Sequence, residues 1–580
     1  MRALRALLSI AAFAALAAFA GTACAAPPPL TPNNAPMVRV LRAPPPVPDN
    51  SFTVLSYHEV RDDVRDHADA YAVDSGALVA QFAWLKGEGW NPVSLQQIID
   101  SRSGGKALPP KAVLLTFDDG YLSFYTRVYP LLQAYHYPAL MAVVGHWIQN
   151  PAAQGGQGFG EDANVKDETF PSWGQIREMV NSGLVEVASH TYDLHHGVLA
   201  NPQGNQEPAA TTHLYDPATG YETDAQWRAR VRDDMQKNSD LIERETGQRP
   251  RAMVWPYGSY GKQLIGIAGE LGMPVCITLD DGLNTPQVPL TAVRRLLVTH
   301  NPPLLAFTGD MTGVQLPQPV RAVEVSLDQV VDDDPARQEQ KLSALLDRVQ
   351  ALGATHVFLH AFTDDGSLHA YFPTRGTAVR ADLFNRVAWQ LATRTDVDVY
   401  AALPPELLHA PAAAAVLGDL ARNSSFEGLY FMPFGTAAAD VEESARLTAA
   451  ALQWRAPLRL ARGTTQAAPA QIAALSAGAD FVVLNEKDAL PAGAGMLAGI
   501  TSSAGGGSPA APMAPVVAGQ PRLLVLFDGR GADGGQLAAH MRALQRQGIS
   551  NFGYREGDFM HDQPPLATVA PALSVRDSIR

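Results

Sequence analysis

Two short stretches of the sequence bring together residue types that could bind a metal ion and activate water. TFDDG (116–120) places two adjacent carboxylates and a glycine directly after an apolar run. SHTYDLHHG (189–197) places three histidines within seven residues, again after an apolar run. Neutral imidazoles and a carboxylate are a common ligand set for Zn²⁺, Co²⁺ or Ni²⁺. The two stretches therefore indicate a divalent-metal site, with a second carboxylate left free to act as a general base.

A third stretch could complete such a site. RAMVWPYG (251–258) joins an arginine, a short apolar run and a turn with two aromatic side chains. The guanidinium of Arg251 could orient a carboxylate through two parallel hydrogen bonds. Trp255 and Tyr257 could form a wall against a sugar ring, although aromatic packing in a core would also explain them.

The elements around these stretches predict where they meet. Between 52 and 300, short Val- and Leu-rich runs alternate with amphipathic stretches, which is typical of a parallel sheet covered by helices. We predict strands at 52–57, 112–117, 139–144, 185–189, 252–255, 274–278 and 295–299, helices at 76–88, 124–135, 173–182 and 224–246, and loops near a site at 150–170 and 197–222. These strands predict an incomplete (β/α) barrel, in which the carboxyl ends of the strands share one mouth. All three motifs follow predicted strands and should lie at that mouth.

A second block, from about 320 to the end, repeats the alternation of helices and strands. We predict helix and strand in 342–362, a helix at 383–395, strands at 398–403, 427–434, 479–485, 522–528 and 548–556, and a flexible loop at 502–515. This pattern predicts a second α/β domain of (β/α) barrel type.

Charge and cysteine content limit the class of protein. The net charge is −14, with 58 acidic against 44 basic residues, and no Lys/Arg-rich run is present. Nucleic acid is therefore not expected as a partner. Of the two cysteines, Cys276 lies in the apolar run PVCIT and is predicted to be a buried packing residue.

The N-terminal residues indicate export. MRALR is followed by the apolar run LLSIAAFAALAAFAG and then by small residues, which is typical of a secretory signal over 1–25. Lipidation of Cys24, which would anchor the chain to a membrane, is the alternative to cleavage after Ala25. Residues 26–50 contain nine prolines, which favours an extended linker.

In their order along the chain, TFDDG, SH-T-x-x-x-H and R-x-x-x-W-P-Y-G resemble the motifs of the polysaccharide deacetylases of carbohydrate esterase family 4. The resemblance implies a distorted (β/α) barrel of the NodB homology type over 51–312 and a metal held by one aspartate and two histidines. The five-residue spacing from His190 to His195 resembles the subgroup that deacetylates exported poly-β-1,6-N-acetyl-D-glucosamine. His196 is then a neighbour that helps to shape the turn.

The resemblance also implies a role for each matching residue. It implies Asp119, His190 and His195 as metal ligands, Asp118 as general base, Arg251 as the residue that orients the base, His300 as general acid, Trp255, Pro256 and Tyr257 as groove wall, and Asp280 and His58 as further residues near the substrate. The implied reaction is metal-dependent hydrolysis of the N-acetyl group, with release of acetate. Deacetylation of chitin oligomers or peptidoglycan is an alternative, and a non-catalytic polymer-binding export scaffold is another.

The same subgroup implies a glycoside-hydrolase-like second domain, here 320–580, that looks degenerate. An acidic pair should follow 426–431, but Met432, Pro433 and Phe434 stand there. Because cleavage of a glycosidic bond normally needs two carboxylates, we predict that this domain binds polymer without cleaving it. Asp364 and Asp365, another acidic pair, are interpreted as structural or sugar-binding. The resemblance further implies a periplasmic location, anchoring to the outer membrane if Cys24 is lipidated, and an outer-membrane export porin as a partner.

Overall fold

The structure is a computed structural model that describes residues 47–64, 70–150, 170–313, 319–435, 438–465, 468–485, 522–546 and 549–574. The predicted signal (1–25), nearly all of the Pro-rich linker, the core of the predicted 150–170 loop and the predicted 502–515 loop lie outside these residues. No helix within the described ranges is both long and apolar enough to cross a membrane.

The N-terminal half is built around one open parallel sheet. The strands of this half are β1 (Phe52–Tyr57), β2 (Glu59–Arg61), β3 (Ala72–Asp74), β4 (Asn91–Pro92), β5 (Ala112–Phe117), β6 (Ala139–Val143), β7 (Val185–Ser189), β8 (Gly197–Leu199), β9 (Gln206–Pro208), β10 (Tyr215–Asp216), β11 (Gly220–Tyr221), β12 (Ala252–Val254), β13 (Val275–Ile277) and β14 (Leu296–Leu297). The sheet runs in the order β13-β12-β7-β6-β5-β1-β14, with β4 beside β5. Strands β5 and β6 are buried at every residue, as expected of strands that helices cover on both faces.

The helices of this half are α1 (Ser75–Gly87), α2 (Leu95–Arg102), α3 (Tyr129–Tyr135), α4 (Gly145–Gln149), α5 (Trp173–Asn181), α6 (Asp224–Thr246), α7 (Lys262–Glu270) and α8 (Leu304–Thr312). Helix α6 shows how the sequence sets their ends. Thr223 and Gln226 form a capping box at its start, and Gly247, at φ 76°, ends it in the left-handed conformation.

The C-terminal half is a closed parallel barrel. Its strands are β15 (Arg321–Val325), β16 (His356–His360), β17 (Asp398–Leu403), β18 (Gly428–Phe434), β19 (Arg459–Thr464), β20 (Phe481–Asn485), β21 (Arg522–Asp528) and β22 (Phe552–Arg555), and its helices are α9 (Pro335–Leu352), α10 (Phe384–Thr395), α11 (Ala413–Asn423), α12 (Ala438–Ala451), α13 (Pro469–Leu475), α14 (Gly534–Arg546) and α15 (Leu566–Leu573). Each strand pairs with the next, and β22 pairs with β15 to close the barrel.

Both fold predictions are confirmed, and the two barrel strands of the C-terminal half that were not predicted contain charges. Every strand predicted in the first half is present, and the incomplete barrel is an open sheet. Strands β15 (RAVEV) and β19 (RLARGT) were not predicted, because their arginines and glutamate interrupt the apolar pattern. Arg462 of β19 is nevertheless buried, and its guanidinium donates to Ser444 Oγ and to the carbonyl oxygens of Leu475 and Ala477. Hydrogen bonds from distant elements thus make the buried charge tolerable.

Candidate metal centre

Three turns at the carboxyl ends of β5, β7 and β12 carry the predicted motifs. Each contains a non-glycine residue with positive φ, namely Asp119 (70°), Thr191 (70°) and Tyr257 (58°). A residue in such a conformation costs about 1–3 kcal/mol and persists only where its surroundings impose it, which is common at functional sites. Gly120 also has positive φ, and a Cβ there would lie 3.3 Å from a methyl group of Val143.

The carboxylate of Asp119 faces two imidazole rings. Its Oδ1 lies 3.4 Å from Nε2 of His190 and 3.3 Å from Nε2 of His195. Nδ1 of His190 lies 2.7 Å from the carbonyl oxygen of Val254 and donates its hydrogen there. In the neutral ring, Nε2 then presents a lone pair to Asp119. Oδ1 of Asp119 is buried and receives no hydrogen bond within the described ranges, so a cation among these atoms would satisfy all three.

The electrostatics of the group also suit a cation. Burial alone would raise the pKa of Asp119, but the neighbouring His195, His190 and His58 hold it well below its usual range. Burial lowers the pKa of His195 to about 4, against the opposing charge of Asp119. Burial also lowers the pKa of His190, but Asp119 and Asp118 outweigh it, so the net shift is upward. An ionised aspartate beside a neutral His195 is the protonation state that metal ligation requires.

These residues fit a divalent ion. The ligand atoms of Asp119, His190 and His195 lie within 4.8 Å of one another, the one such group of His, Cys, Asp or Glu side chains in the part of the chain that the structure describes. Two imidazoles and a carboxylate leave coordination positions open for water and substrate. His196 lies outside the group, as expected, and its carbonyl oxygen accepts a hydrogen bond of 3.0 Å from the N–H of Ala209.

Asp118 is held by an arginine that the sequence analysis did not identify. Nη1 of Arg295 lies 2.8 and 2.7 Å from the two carboxylate oxygens of Asp118, and both side chains are buried. Arg295 is itself fixed, because its Nε donates to the carbonyl oxygen of Thr278 at 2.7 Å and its N–H to that of Asp280 at 2.9 Å. The carboxylate of Asp118 therefore has one defined orientation, next to Asp119.

The prediction that Arg251 orients the base is wrong. Arg251 precedes β12, so it lies at the opposite end of the sheet from the three turns. Its Nε and Nη2 bind the carboxylate of Glu186 at 3.0 and 2.8 Å, and Nη1 binds Gln96. The bidentate geometry expected of this arginine is present, but its partner is Glu186 rather than Asp118.

The predicted groove wall is only partly accessible. Trp255 and Pro256 are buried, and Trp255 packs in the apolar core with Met253 and Ile267, so neither can contact a sugar. Tyr257 is half-buried, and the centre of its ring lies 4.4 Å from that of His195.

Trp147 forms a second accessible aromatic surface at the centre. Its ring lies 4.8 Å from that of His195, and it is half-buried in α4, directly after β6. The sequence analysis missed Trp147, although its place after an apolar run is the same signal that identified the other motifs.

The remaining predicted residues follow three other strands of the open sheet. His58 follows β1, and its ring lies 4.9 Å from that of Tyr71. Oδ2 of Asp280 accepts a hydrogen bond of 2.8 Å from the hydroxyl of Tyr260. His300 follows β14, is exposed, and donates from its backbone N–H to a carbonyl oxygen. The role of His300 as general acid stays a prediction.

The mouth of the closed barrel also holds acidic residues and a histidine. Glu324 is buried, and its Oε1 accepts hydrogen bonds from Nε2 of His360 at 3.0 Å and from Nε of Arg555. Nδ1 of His360 donates to Asp364 at 2.5 Å. Burial lowers the pKa of His360, but the bonds and charges of Asp364 and Glu324 outweigh it and raise that pKa to about 9. Asp364 thus has the structural contacts that its sequence context suggested.

The site expected for an acidic pair in this barrel is apolar. Met432 and Pro433 are half-buried and Phe434 is buried, all within β18. The absence of polymer cleavage by this domain stays a prediction.

Comparison with known proteins agrees with this arrangement. Residues 105–276 match the family model "Polysaccharide deacetylase", and 324–409 match "Hypothetical glycosyl hydrolase family 13". The poly-beta-1,6-N-acetyl-D-glucosamine N-deacetylase of Escherichia coli K12 is 41% identical over 366 residues, which cover 62% of this chain and 54% of that protein. Residues 105–276 are thus similar to the polysaccharide deacetylases. The chain spans about half the length of that curated relative.

Solved structures of two deacetylases are also similar to part of this chain. The BpsB deacetylase domain from Bordetella bronchiseptica is 48% identical and covers 44% of this chain and 98% of its own, with a TM-score of 0.39. A de-N-acetylase from Aggregatibacter actinomycetemcomitans is 38% identical and covers 45% of this chain and 99% of its own, with a TM-score of 0.41.

Proposed function

We propose that this protein is a divalent-metal-dependent enzyme that removes acetyl groups from poly-β-1,6-N-acetyl-D-glucosamine. The observation that carries the proposal is the buried Oδ1 of Asp119, which faces ring nitrogens of His190 and His195 and lacks a hydrogen-bond donor among the described residues. Beside it stands a second carboxylate, Asp118, which Arg295 holds in a fixed orientation. One carboxylate thus serves the cation, while the other is available for proton transfer.

The roles of the protein groups follow from their chemistry. A divalent ion held by Asp119, His190 and His195 would polarise the acetyl carbonyl and lower the pKa of water. Asp118 accepts the proton of the attacking water, and Arg295 keeps its carboxylate in place and compensates its charge. We assign protonation of the departing amine to His300. The products are acetate and a free amino sugar.

The aromatic side chains supply the sugar contacts. Tyr257 and Trp147 lie on His195 and are half-buried, so their outer faces are available to a pyranose ring. Aromatic rings bury a large apolar area at a small cost in side-chain entropy. In this proposal, the two rings orient an N-acetyl group toward the metal ligands.

The substrate assignment rests on the Escherichia coli relative, which is named for this polymer, and on the five-residue spacing of His190 and His195. Chitin oligomers, peptidoglycan and a non-catalytic binding function are the alternatives. Acetate release from each of the three polymers, with and without chelator, separates them. We expect release from the β-1,6 polymer that chelator abolishes and added Zn²⁺ or Co²⁺ restores. Release from chitin oligomers alone would overturn the substrate assignment, and no release from any polymer with added metal would favour the scaffold.

Two variants assign the roles of the site residues. Asp118→Asn should retain bound metal, measured by inductively coupled plasma mass spectrometry, while its turnover is lost. His190→Ala should lose the metal. Asp118→Asn with full turnover would contradict the role of Asp118 as base.

We further propose that the chain is exported to the periplasm and anchored to the outer membrane through Cys24. We also propose that it interacts with an outer-membrane export porin and that its second barrel binds the polymer. Residues 1–25 support export because they combine arginines, an apolar run and small residues. Metabolic labelling with a palmitate analogue tests the anchor, because Cys24→Ser should abolish the label. Labelling of the Cys24→Ser variant would contradict it.

A further inference from the structure

The metal ligand His195 is followed directly by a hairpin that reaches the second barrel. Strands β8 and β9 pair antiparallel, with Gly197 opposite Pro208 and Leu199 opposite Gln206. The carbonyl oxygen of His196 accepts a hydrogen bond of 3.0 Å from the N–H of Ala209, so both ends of the hairpin are tied to the peptide next to His195. A displacement of residues 197–208 therefore moves the backbone that carries this ligand.

The tip of this hairpin is held by the start of α10. Nε2 of Gln203 donates to the carbonyl oxygen of Asp382 at 2.6 Å. Nη1 of Arg386 donates to Oδ1 of Asn205 at 2.9 Å, and Nδ2 of Asn205 lies 3.4 Å from the carbonyl oxygen of Asn385. Asn205 is buried, so its two bonds to α10 are not easily replaced by water.

Trp454 of the second barrel packs against the apolar cluster that flanks the base of the hairpin. Leu194, the neighbour of His195, lies in one apolar cluster with Trp227, and Trp454 packs against that cluster. The ring centres of Trp227 and Trp454 are 5.4 Å apart, and the guanidinium of Arg422 lies 4.6 Å from the ring centre of Trp454. Trp454 thus packs against the apolar cluster that contains Leu194, the residue before the ligand.

A separate set of contacts connects residues 260–263, which follow the WPYG turn, to residues 452–456 of the second barrel. Ala456 donates to the carbonyl oxygen of Tyr260 at 2.7 Å, and Lys262 and Gln263 at the start of α7 donate to carbonyl oxygens of Leu452 and Gln453 at 3.2 and 3.0 Å. A Cβ on Gly261 would lie 2.6 Å from the backbone of Trp454, so glycine is required for this close approach. The second barrel therefore contacts the segments that follow two of the three turns of the metal centre.

We propose that the second barrel is a positioning element of the deacetylase metal centre, and that Arg386 and Trp454 are its positioning residues for His195. The segment 197–208 transmits the constraint, because it is bonded to α10 at its tip and to the ligand peptide at its base. The proposal rests on the proposed function only in taking His195 as a metal ligand. Its consequence is that the two barrels form one functional unit, whatever polymer the second barrel binds.

The test uses full-length protein with Arg386→Ala, Trp454→Ala and the control Arg446→Ala. Arg446 is an exposed arginine of the same barrel that pairs with Glu443 within its own helix. Two readouts are needed: the dissociation constant for Co²⁺ by titration calorimetry, and amide hydrogen exchange of 194–209 in metal-free protein. We expect Arg386→Ala and Trp454→Ala to weaken Co²⁺ binding roughly tenfold, the scale seen when supports of metal ligands are removed, and to speed exchange in this segment. Arg446→Ala should match the wild type in both.

Wild-type Co²⁺ affinity and wild-type exchange in Arg386→Ala would overturn the proposal, even if Trp454→Ala failed to fold by circular dichroism. Weaker Co²⁺ binding without faster exchange would also overturn it, because the hairpin would not be the connection. A wild-type protein that binds no Co²⁺ would instead overturn the proposed metal function, and the exchange rates would still decide whether the second barrel holds the hairpin.

Discussion

The mouth of the open sheet and the mouth of the closed barrel both contain carboxylates and histidines, but these groups differ in their hydrogen-bond partners. At the mouth of the open sheet, Asp119 faces two imidazole nitrogens and its Oδ1 has no hydrogen-bond donor within the described residues. At the mouth of the closed barrel, Glu324 receives hydrogen bonds from His360 and Arg555, and His360 also donates to Asp364. Asp119 thus faces two imidazole rings, whereas Glu324 is bonded to a guanidinium as well as to a histidine.

This difference shows why a histidine next to carboxylates does not by itself predict a metal site. His190 uses Nδ1 on a backbone carbonyl, which leaves the lone pair of Nε2 for a cation. His360 gives both ring nitrogens to carboxylates, and its raised pKa keeps it a cation. Whether a ring nitrogen keeps a lone pair for a cation, rather than the residue types alone, distinguishes a candidate metal centre from a structural hydrogen-bond network.

The largest effect should come from removing a ligand at the open-sheet mouth. Asp119→Ala is expected to lose the metal and to reduce acetate release roughly 10³-fold or more, because several kcal/mol of transition-state stabilisation by the ion disappear. His360→Gln, the matched change at the other mouth, should leave metal content and turnover unchanged. Metal analysis with the acetate assay checks both, and loss of metal in His360→Gln would remove the distinction between the two mouths.

Substitution of Arg251 and of Arg295 tests which arginine positions Asp118. The sequence predicted Arg251, and the structure shows Arg295. Arg295→Met leaves Asp118 buried without its partner, so we expect about 3–5 kcal/mol of destabilisation and a fall in kcat of at least about 10². Arg251→Met removes a half-buried pair with Glu186 far from the metal ligands, and kcat should stay within about twofold. Urea unfolding and steady-state kinetics measure the two effects. Equal loss of kcat in both variants would contradict the assignment of Arg295.

A pH titration tests the charge balance of the closed barrel. His360 has a folded-state pKa of about 9, above its unfolded value near 6.5. Its stabilisation is therefore complete below about pH 6.5 and is lost as the pH rises through about 9, by about 3 kcal/mol in total. The urea midpoint of the wild type should fall between pH 6 and 10 relative to that of His360→Gln. Parallel pH profiles for the two proteins would show that His360 is not held as a cation.

The smallest effects should come from the aromatic rings at the open-sheet mouth. Tyr257→Ala or Trp147→Ala should raise KM for a polymer fragment roughly 3- to 10-fold with a smaller change in kcat, because one ring contact contributes about 0.5–1.5 kcal/mol. Trp255→Phe is the control, since Trp255 is buried and should affect stability rather than KM. If Trp255→Phe were the only variant with a raised KM, the prediction that Trp255 contacts the sugar would be supported after all.

The sequence alone was sufficient to predict the main strands of the open sheet and the meeting of Asp119 with His190 and His195. Asp119, His190 and Tyr257 each follow an apolar strand, and because the carboxyl ends of parallel strands share one edge, their meeting could be predicted without coordinates. In the closed barrel, the unpredicted strands were those with buried charges, such as Arg462 in β19, whose partners lie on other elements. Local patterns report burial of apolar side chains, but they do not report which distant group satisfies a charge.

The hydrogen-bond partners of Asp118 and Arg251 could be identified only from the tertiary structure. Arg295 lies 177 residues from Asp118 in the chain and reaches it because β1 separates β5 from β14 by a single strand. Arg251 carries the motif, but its place before β12 puts it at the far end of the sheet, beside Glu186. Which side chains meet depends on sheet order and on the end of a strand at which a residue lies, and both are set by long-range packing. The same packing brings Arg386 and Trp454 of a second barrel to the hairpin that follows His195.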